Sequence, residues 1–209
     1  MEIPSDEGAV RIHVLTAIEE KQYFARASKH PDLHDLGRLM LNQGMRPDEV
    51  SSLAKADVDL EHQKVQIPKG KSRAARRKLD LTAESCQILA ARLAGDVSAL
   101  EHERAAIVSA PCTDLKADEI AKKRKLANID KAIAVAKSPW VFPSRRNPRR
   151  HVSRVNNAYD RLCEKALEAG VELNLVLYDF RHTFDTHGRR GDRPGDACEN
   201  PRPQLDPYR

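Results

Sequence analysis

Asn42-Gln43-Gly44-Met45-Arg46-Pro47-Asp48-Glu49-Val50 reads as a helix stop followed at once by a helix start, with one arginine held between them. Upstream, Leu33, Leu36, Leu39, Met40 and Leu41 recur at helical spacing as far as Gly44, which suits a C-terminal stop. Downstream, Pro47 opens a short helix with Leu53 on its apolar side. Arg46 is thereby expected on a turn between two helices. Further upstream, Thr16 as N-cap and Glu19 three residues on form a capping box for a helix over Ala17 to Ala27.

Beyond this turn, Val58, Leu60, Val65, Ile67, Leu79 and Leu81 alternate as in strands, so Asp57 to Leu81 is expected to form a small antiparallel sheet. Between its strands lies Lys69-Gly70-Lys71-Ser72-Arg73-Ala74-Ala75-Arg76-Arg77-Lys78, six cations in ten positions without an acid. Taken alone this is either a solvated hairpin or a basic finger. Thr82 to Gly95 reads as a helix, and Asp96 to Lys137 as a charge-rich helical hairpin broken near Ala110-Pro111, with Leu126, Ile129 and Ile133 on one stripe. That hairpin is either a structural excursion with a solvated face or a contact to DNA or another subunit. Trp140-Val141-Phe142-Pro143 then leads into a second basic cluster of Arg145, Arg146, Arg149, Arg150, His151 and Arg154. A helix from Ser153 to Ala169 ends at Gly170, and a last one carries Tyr178-Asp179-Phe180-Arg181-His182-Thr183-Phe184, with Asp179 as a candidate cap.

The composition fits one ordinary domain with a real core. The net charge of +5 and pI near 9.1 favour a polyanionic partner only weakly, because 36 basic residues stand against 31 acidic ones. Cys86, Cys112, Cys163 and Cys198 make no C-x-x-C pair, which argues against a zinc ribbon and a disulfide framework. Neither a membrane span nor an export signal is present, so a cytoplasmic setting is expected.

Four stretches occur in one order: G-M-R-P-x-E-V around Arg46, G-K-S-x-A-A-R-R before a strand, V-F-P, and Y-D-x-R-H-T-F around Arg181. Together they resemble the tyrosine recombinase (phage integrase) family over about Val14 to His187. The resemblance implies a mainly α fold with a small antiparallel sheet, the family's catalytic core, as residues 1–187 and without its N-terminal core-binding domain. It implies site-specific cutting and rejoining of double-stranded DNA through a 3′-phosphotyrosyl link, by an enzyme that works with further recombinase subunits. Neither cofactor nor metal is implied, because bond energy is kept in the phosphotyrosine.

On this resemblance Arg46 and Arg181 hold the charge of the five-coordinate transition state. Arginine suits that task because its planar fork can make paired bonds to phosphate oxygens. Lys71 matches the lysine that protonates the leaving 5′-oxygen, with Lys69 in reserve. Tyr178 stands where the family usually has a histidine, as a phosphate hydrogen-bonding group rather than the nucleophile. Glu49 orients Arg46, while Lys69, Arg73, Arg76, Arg77, Arg149 and Arg150 are the expected DNA contacts. Arg46, Tyr178 and Arg181 should therefore surround one cleft with the basic hairpin at its rim. The simpler roles are a helix cap for Arg46, a salt bridge to Asp179 or Asp185 for Arg181, and a packed position for His182.

After His187 the resemblance stops. The family expects an amphipathic helix, an L-G-H-S-S segment and the nucleophilic tyrosine, whereas Gly188 to Arg209 carries Pro194, Pro201, Pro203 and Pro207 and scarcely an apolar residue. Residues 188–209 therefore read as a disordered tail. The codons available to Pro201-Arg202-Pro203-Gln204-Leu205-Asp206, read one base later, can encode Leu-Gly-His-Ser-Ser, which makes a frameshift after His187 the working explanation. Tyr208, the one tyrosine after Arg181, has no helix to aim it and is a poor nucleophile candidate. Two rivals follow: a non-enzymatic DNA-binding remnant of an integrase, and an unrelated helical nucleic-acid adaptor whose arginine boxes are accidental.

Overall fold

The computed structural model describes residues 12–68, 76–111, 116–153 and 155–190, leaving out the side chains of 116 and 187–190. Helix α1 (Ala17–Ala27) starts with the expected capping box: the Glu19 N–H donates to Thr16 Oγ1 at 3.2 Å and the Thr16 N–H to Glu19 Oε2 at 2.8 Å. Helix α2 (Pro31–Gln43) begins with proline, where a missing N–H is harmless, and ends at Gly44 in the left-handed conformation. Helix α3 (Pro47–Ser51) follows closely, with Arg46 as its N-cap, so Arg46 lies on the predicted turn.

Strands β1 (Val58–Asp59), β2 (Lys64–Ile67) and β3 (Arg77–Asp80) form an antiparallel sheet in the order β1-β2-β3. Its register pairs Val58 with Val65, Val65 with Leu79 and Ile67 with Arg77. Side chains alternate along β2, with Val65 and Ile67 buried and Lys64 and Gln66 exposed, which turns one face onto the helices. The tip of the predicted hairpin, residues 69–75, lies outside the described residues and takes Lys69, Lys71 and Arg73 with it.

Helix α4 (Ala83–Leu93) leads to an antiparallel pair, α5 (Val97–Ser109) and α6 (Lys116–Ala136). Neither has a strong apolar face, and α5 buries no residue. Polar ties join the pair instead: Arg104 to Asp130 at 2.6 Å, Lys137 to Glu101 at 2.6 Å, and Lys122 Nζ to the Ala110 carbonyl at 2.6 Å. Ile129 is buried but stands outside the main core cluster. The chain returns through Trp140 and Val141, whose backbone joins the segment after α3, and then enters α7 (Val155–Glu168) and α8 (Leu177–Arg190).

The core lies around α2, against which α1, α3, α4, α7 and α8 all pack. Tyr23, Phe24 and Phe180 meet edge to face there, with Tyr23 and Phe180 4.7 Å apart between ring centres. Helix α8 extends through Arg190, three residues past His187, and residues 191–209 of the expected tail lie outside the described residues. Helix propagation adds one backbone bond per residue once packed turns exist, and so does not need an apolar side chain at each step. No helix among the described residues is long and apolar enough to cross a membrane.

Candidate functional site

The first turn of α8 is fixed by Asp179, whose Oδ2 accepts the Val176 N–H at 2.8 Å. An acid in the first turn suits the positive end of a helix. Leu177, Phe180 and Thr183 face the core, and Thr183 Oγ1 donates to the Asp179 carbonyl at 2.8 Å while accepting the Leu15 N–H at 2.9 Å. Tyr178, Arg181, His182 and Asp185 then share the opposite stripe, by helical spacing alone. The rings of Tyr178 and His182 are 5.2 Å apart between centres.

Arg181 Nη1 donates to the carbonyl of Gly44, 137 positions away in sequence. Its Nε lies 3.8 Å from Asp185, so of the two expected acidic partners Asp185 is the nearer one, and Asp179 serves the helix end instead. Gly44 does two things here. Its φ of +61° turns the chain out of α2, and its missing side chain makes room for Phe184, because a Cβ at this position would lie 2.6 Å from Cε1 of the ring. Two residues later Arg46 leaves the same turn.

Arg46 is anchored at both ends. Its backbone N–H donates to Glu49 Oε2 at 2.9 Å, its Nη1 to Glu49 Oε1 at 2.9 Å, and its guanidinium lies within electrostatic reach of the Tyr178 hydroxyl of α8. The interaction with Tyr178 first, and then the side-chain bond to Glu49, raise its proton affinity further. Glu49 also receives Arg77 from β3 in a parallel fork, Nη1 to Oε1 at 3.0 Å and Nη2 to Oε2 at 2.9 Å. Burial works to raise the Glu49 carboxyl. The bonds from Arg77 and Arg46 outweigh it and hold the group below the usual glutamate range.

Arg46, Tyr178 and Arg181 are thus brought to one turn, with the side chain of Arg46 41% exposed. Arg76, just before β3, and Lys78 within it are exposed, whereas Arg77 is engaged by Glu49 and only 23% exposed. The second basic cluster is elsewhere: Arg145 reaches Asp32, 3.7 Å away at the start of α2, roughly 18 Å along that helix from Gly44. Arg149 and Arg150, on the same hairpin, are exposed. A groove of about 540 Å³ lies there too, between α6 and Trp140, and not at the arginine turn. The sequence reading missed the engagement of Arg77. No signal in the sequence sets it apart from Arg76 beside it.

The phage integrase family profile matches residues 14–189. Among curated proteins, none matches this chain. The fold is similar to the crystal structure of XerA recombinase, with a TM-score of 0.53 and 18% identity over 90% of this chain and 54% of that one. It is also similar to the Tn1549 transposon integrase in complex with a circular intermediate DNA, with a TM-score of 0.59 and 13% identity over 89% and 56%. A complex of that integrase with transposon right end DNA gives 0.56 and 15% over 94% and 57%. This chain therefore spans little more than half the length of each. With a helix-stop arginine turn, a three-stranded sheet and a final arginine helix in the family's order, and a profile match across most of its length, the chain belongs to the phage integrase family.

Proposed function

We propose that this chain provides the phosphate-binding site of a site-specific DNA recombinase. The observation that carries the reading is the meeting of Arg46, Tyr178 and Arg181 at the Gly44 turn. Two guanidinium groups and a phenol at one turn can take the non-bridging oxygens of a phosphodiester. In the reaction, a tyrosine hydroxyl gives its proton to water as its oxygen bonds to phosphorus and the bond to the 5′-oxygen breaks, leaving a 3′-phosphotyrosyl link. The leaving oxygen takes a proton from Lys71, or from Lys69. Arg46 and Arg181 hold the charge that builds on the phosphorane, and Tyr178 bonds one of its oxygens. Double-stranded DNA is the substrate, held mainly through its phosphates, and further subunits of the same kind complete the exchange.

Among the described residues we assign no tyrosine as the nucleophile: Tyr23 and Tyr159 are buried, donating to the carbonyls of Leu33 and Leu175, and Tyr178 stands beside Arg46 in the phosphate-binding role. No covalent adduct is therefore expected through Tyr23, Tyr159 or Tyr178. A nicked suicide substrate on a denaturing gel tests this: no shifted protein band is expected. A band lost in Tyr208→Phe would make Tyr208 the nucleophile and the chain a complete recombinase site. For binding itself, affinity for a duplex should fall steeply with salt, as counterion release requires. Arg46→Ala and Arg181→Ala should each weaken it, and duplex affinity unchanged in both would refute the reading.

A further inference from the structure

Glu49 is filled from two sides. A carboxylate offers about four lone-pair sites, and Glu49 receives two N–H bonds from Arg77, one from the Arg46 guanidinium and one from the Arg46 backbone. Arg77 makes the parallel fork, whereas the Arg46 side chain touches a single oxygen. The three groups together carry a net charge of about +1. With Arg77 removed, the remaining pair would be neutral, and the planar fork of Arg46 would close on both oxygens, the geometry that arginine and carboxylate prefer. Its outward donors would then turn inward.

We propose that Arg77 is a positioning residue for Arg46: by occupying Glu49 it keeps the Arg46 fork pointed outward and its charge uncancelled, available to a phosphate. This deepens the phosphate-binding reading of Arg46 and rests on it. Arg77 replaces its expected role as a DNA contact with one exerted through Glu49. Strand pairing makes the arrangement firm, because Arg77 opens β3 opposite Ile67 and its reach to α3 is set by sheet register. The same ion pair ties the strand ends that bracket residues 69–75 to the turn of Arg46.

The test is a double-mutant cycle on the full chain: wild type, Arg77→Met, Glu49→Gln and the pair, titrated with a fluorescein-labelled duplex at one salt concentration. If Arg77 acts through Glu49, Arg77→Met weakens binding about tenfold when Glu49 is present and less than about twofold in the Glu49→Gln background, within the range of coupling seen inside one ion-pair network. An equal loss in both backgrounds would make Arg77 a direct phosphate ligand and overturn the proposal. Thermal melts check folding, and Arg77→Lys, which keeps the charge but not the fork, should give a smaller loss than Arg77→Met. Arginine side-chain NMR without DNA gives an independent readout. The Arg46 Nε–H resonance should move in Arg77→Met and return towards its original position in the double variant. A resonance indifferent to Arg77→Met sinks this proposal, whereas Arg46→Ala binding DNA like the wild type sinks the underlying phosphate reading instead.

Discussion

Gly44→Ala is the substitution for which the structure yields the clearest number. Gly44 has φ +61°, where a side chain costs about 1–2 kcal/mol through its contact with the following carbonyl. The added methyl would also lie 2.6 Å from Cε1 of Phe184 and nearer still to Cδ1, far inside van der Waals contact. Either the ring or α8 must shift, a strain of about 1–3 kcal/mol for an overpacked site. The two effects together give about 2–5 kcal/mol. For a chain of this size each kcal/mol lowers Tm by about 2–4 °C, so a drop of roughly 4–20 °C is expected. Gly170→Ala is the control, with a similar φ of +74° and nothing within 4 Å of the new Cβ, so that only the backbone cost of about 1–2 kcal/mol applies. Calorimetric melts of the two variants separate the contributions. In addition, Gly44→Ala should weaken duplex binding, because the Gly44 carbonyl seats Arg181, whereas Gly170→Ala should not. Equal Tm losses in the two variants would refute the argument that Phe184 needs the missing side chain.

Glu49 makes a pH-dependent contribution. Its folded carboxyl is held below the ordinary glutamate value of about 4.3, so its stabilisation is fully present above that pH and lost as pH falls through the lowered folded value. Wild type and Glu49→Gln should thus differ in Tm at pH 6 and converge at the acid end, and a gap constant with pH would contradict the ion-pair account. Thr183→Val leaves the Leu15 N–H without its buried acceptor and should cost about 1–3 kcal/mol in urea denaturation; a neutral result would show that the N–H finds another partner. The α5–α6 pair can be excised at its base, because a Cβ at Gly95 would lie 3.4 Å from that of Ala136. Joining these positions by a short Gly-Ser turn should lower stability by less than about 2 kcal/mol, since α5 buries nothing, and failure of the shortened chain to fold would make the pair part of the core.

Sequence by itself determined the local parts of this protein. Caps were legible at α1 and α2, since Thr16 with Glu19, and Gly44, act on the nearest few backbone groups. The alternation from Val58 to Leu81 likewise marked the sheet, and the spacing of residues 178, 181, 182 and 185 put them on one stripe. The order of the two arginine boxes carried the family. What only the tertiary structure decided was partnership between distant segments. Nothing near Arg77 in the chain distinguishes it from Arg76, yet strand register turns one to Glu49 and leaves the other exposed. Nor does the sequence around Gly44 announce Phe184, or place the cluster of Arg145 at the opposite end of α2 from Arg181. Caps and periods depend on bonds closed within about four residues, whereas the fork on Glu49 and the ring against Gly44 depend on how whole elements dock, and docking is settled by the packing of the core around α2.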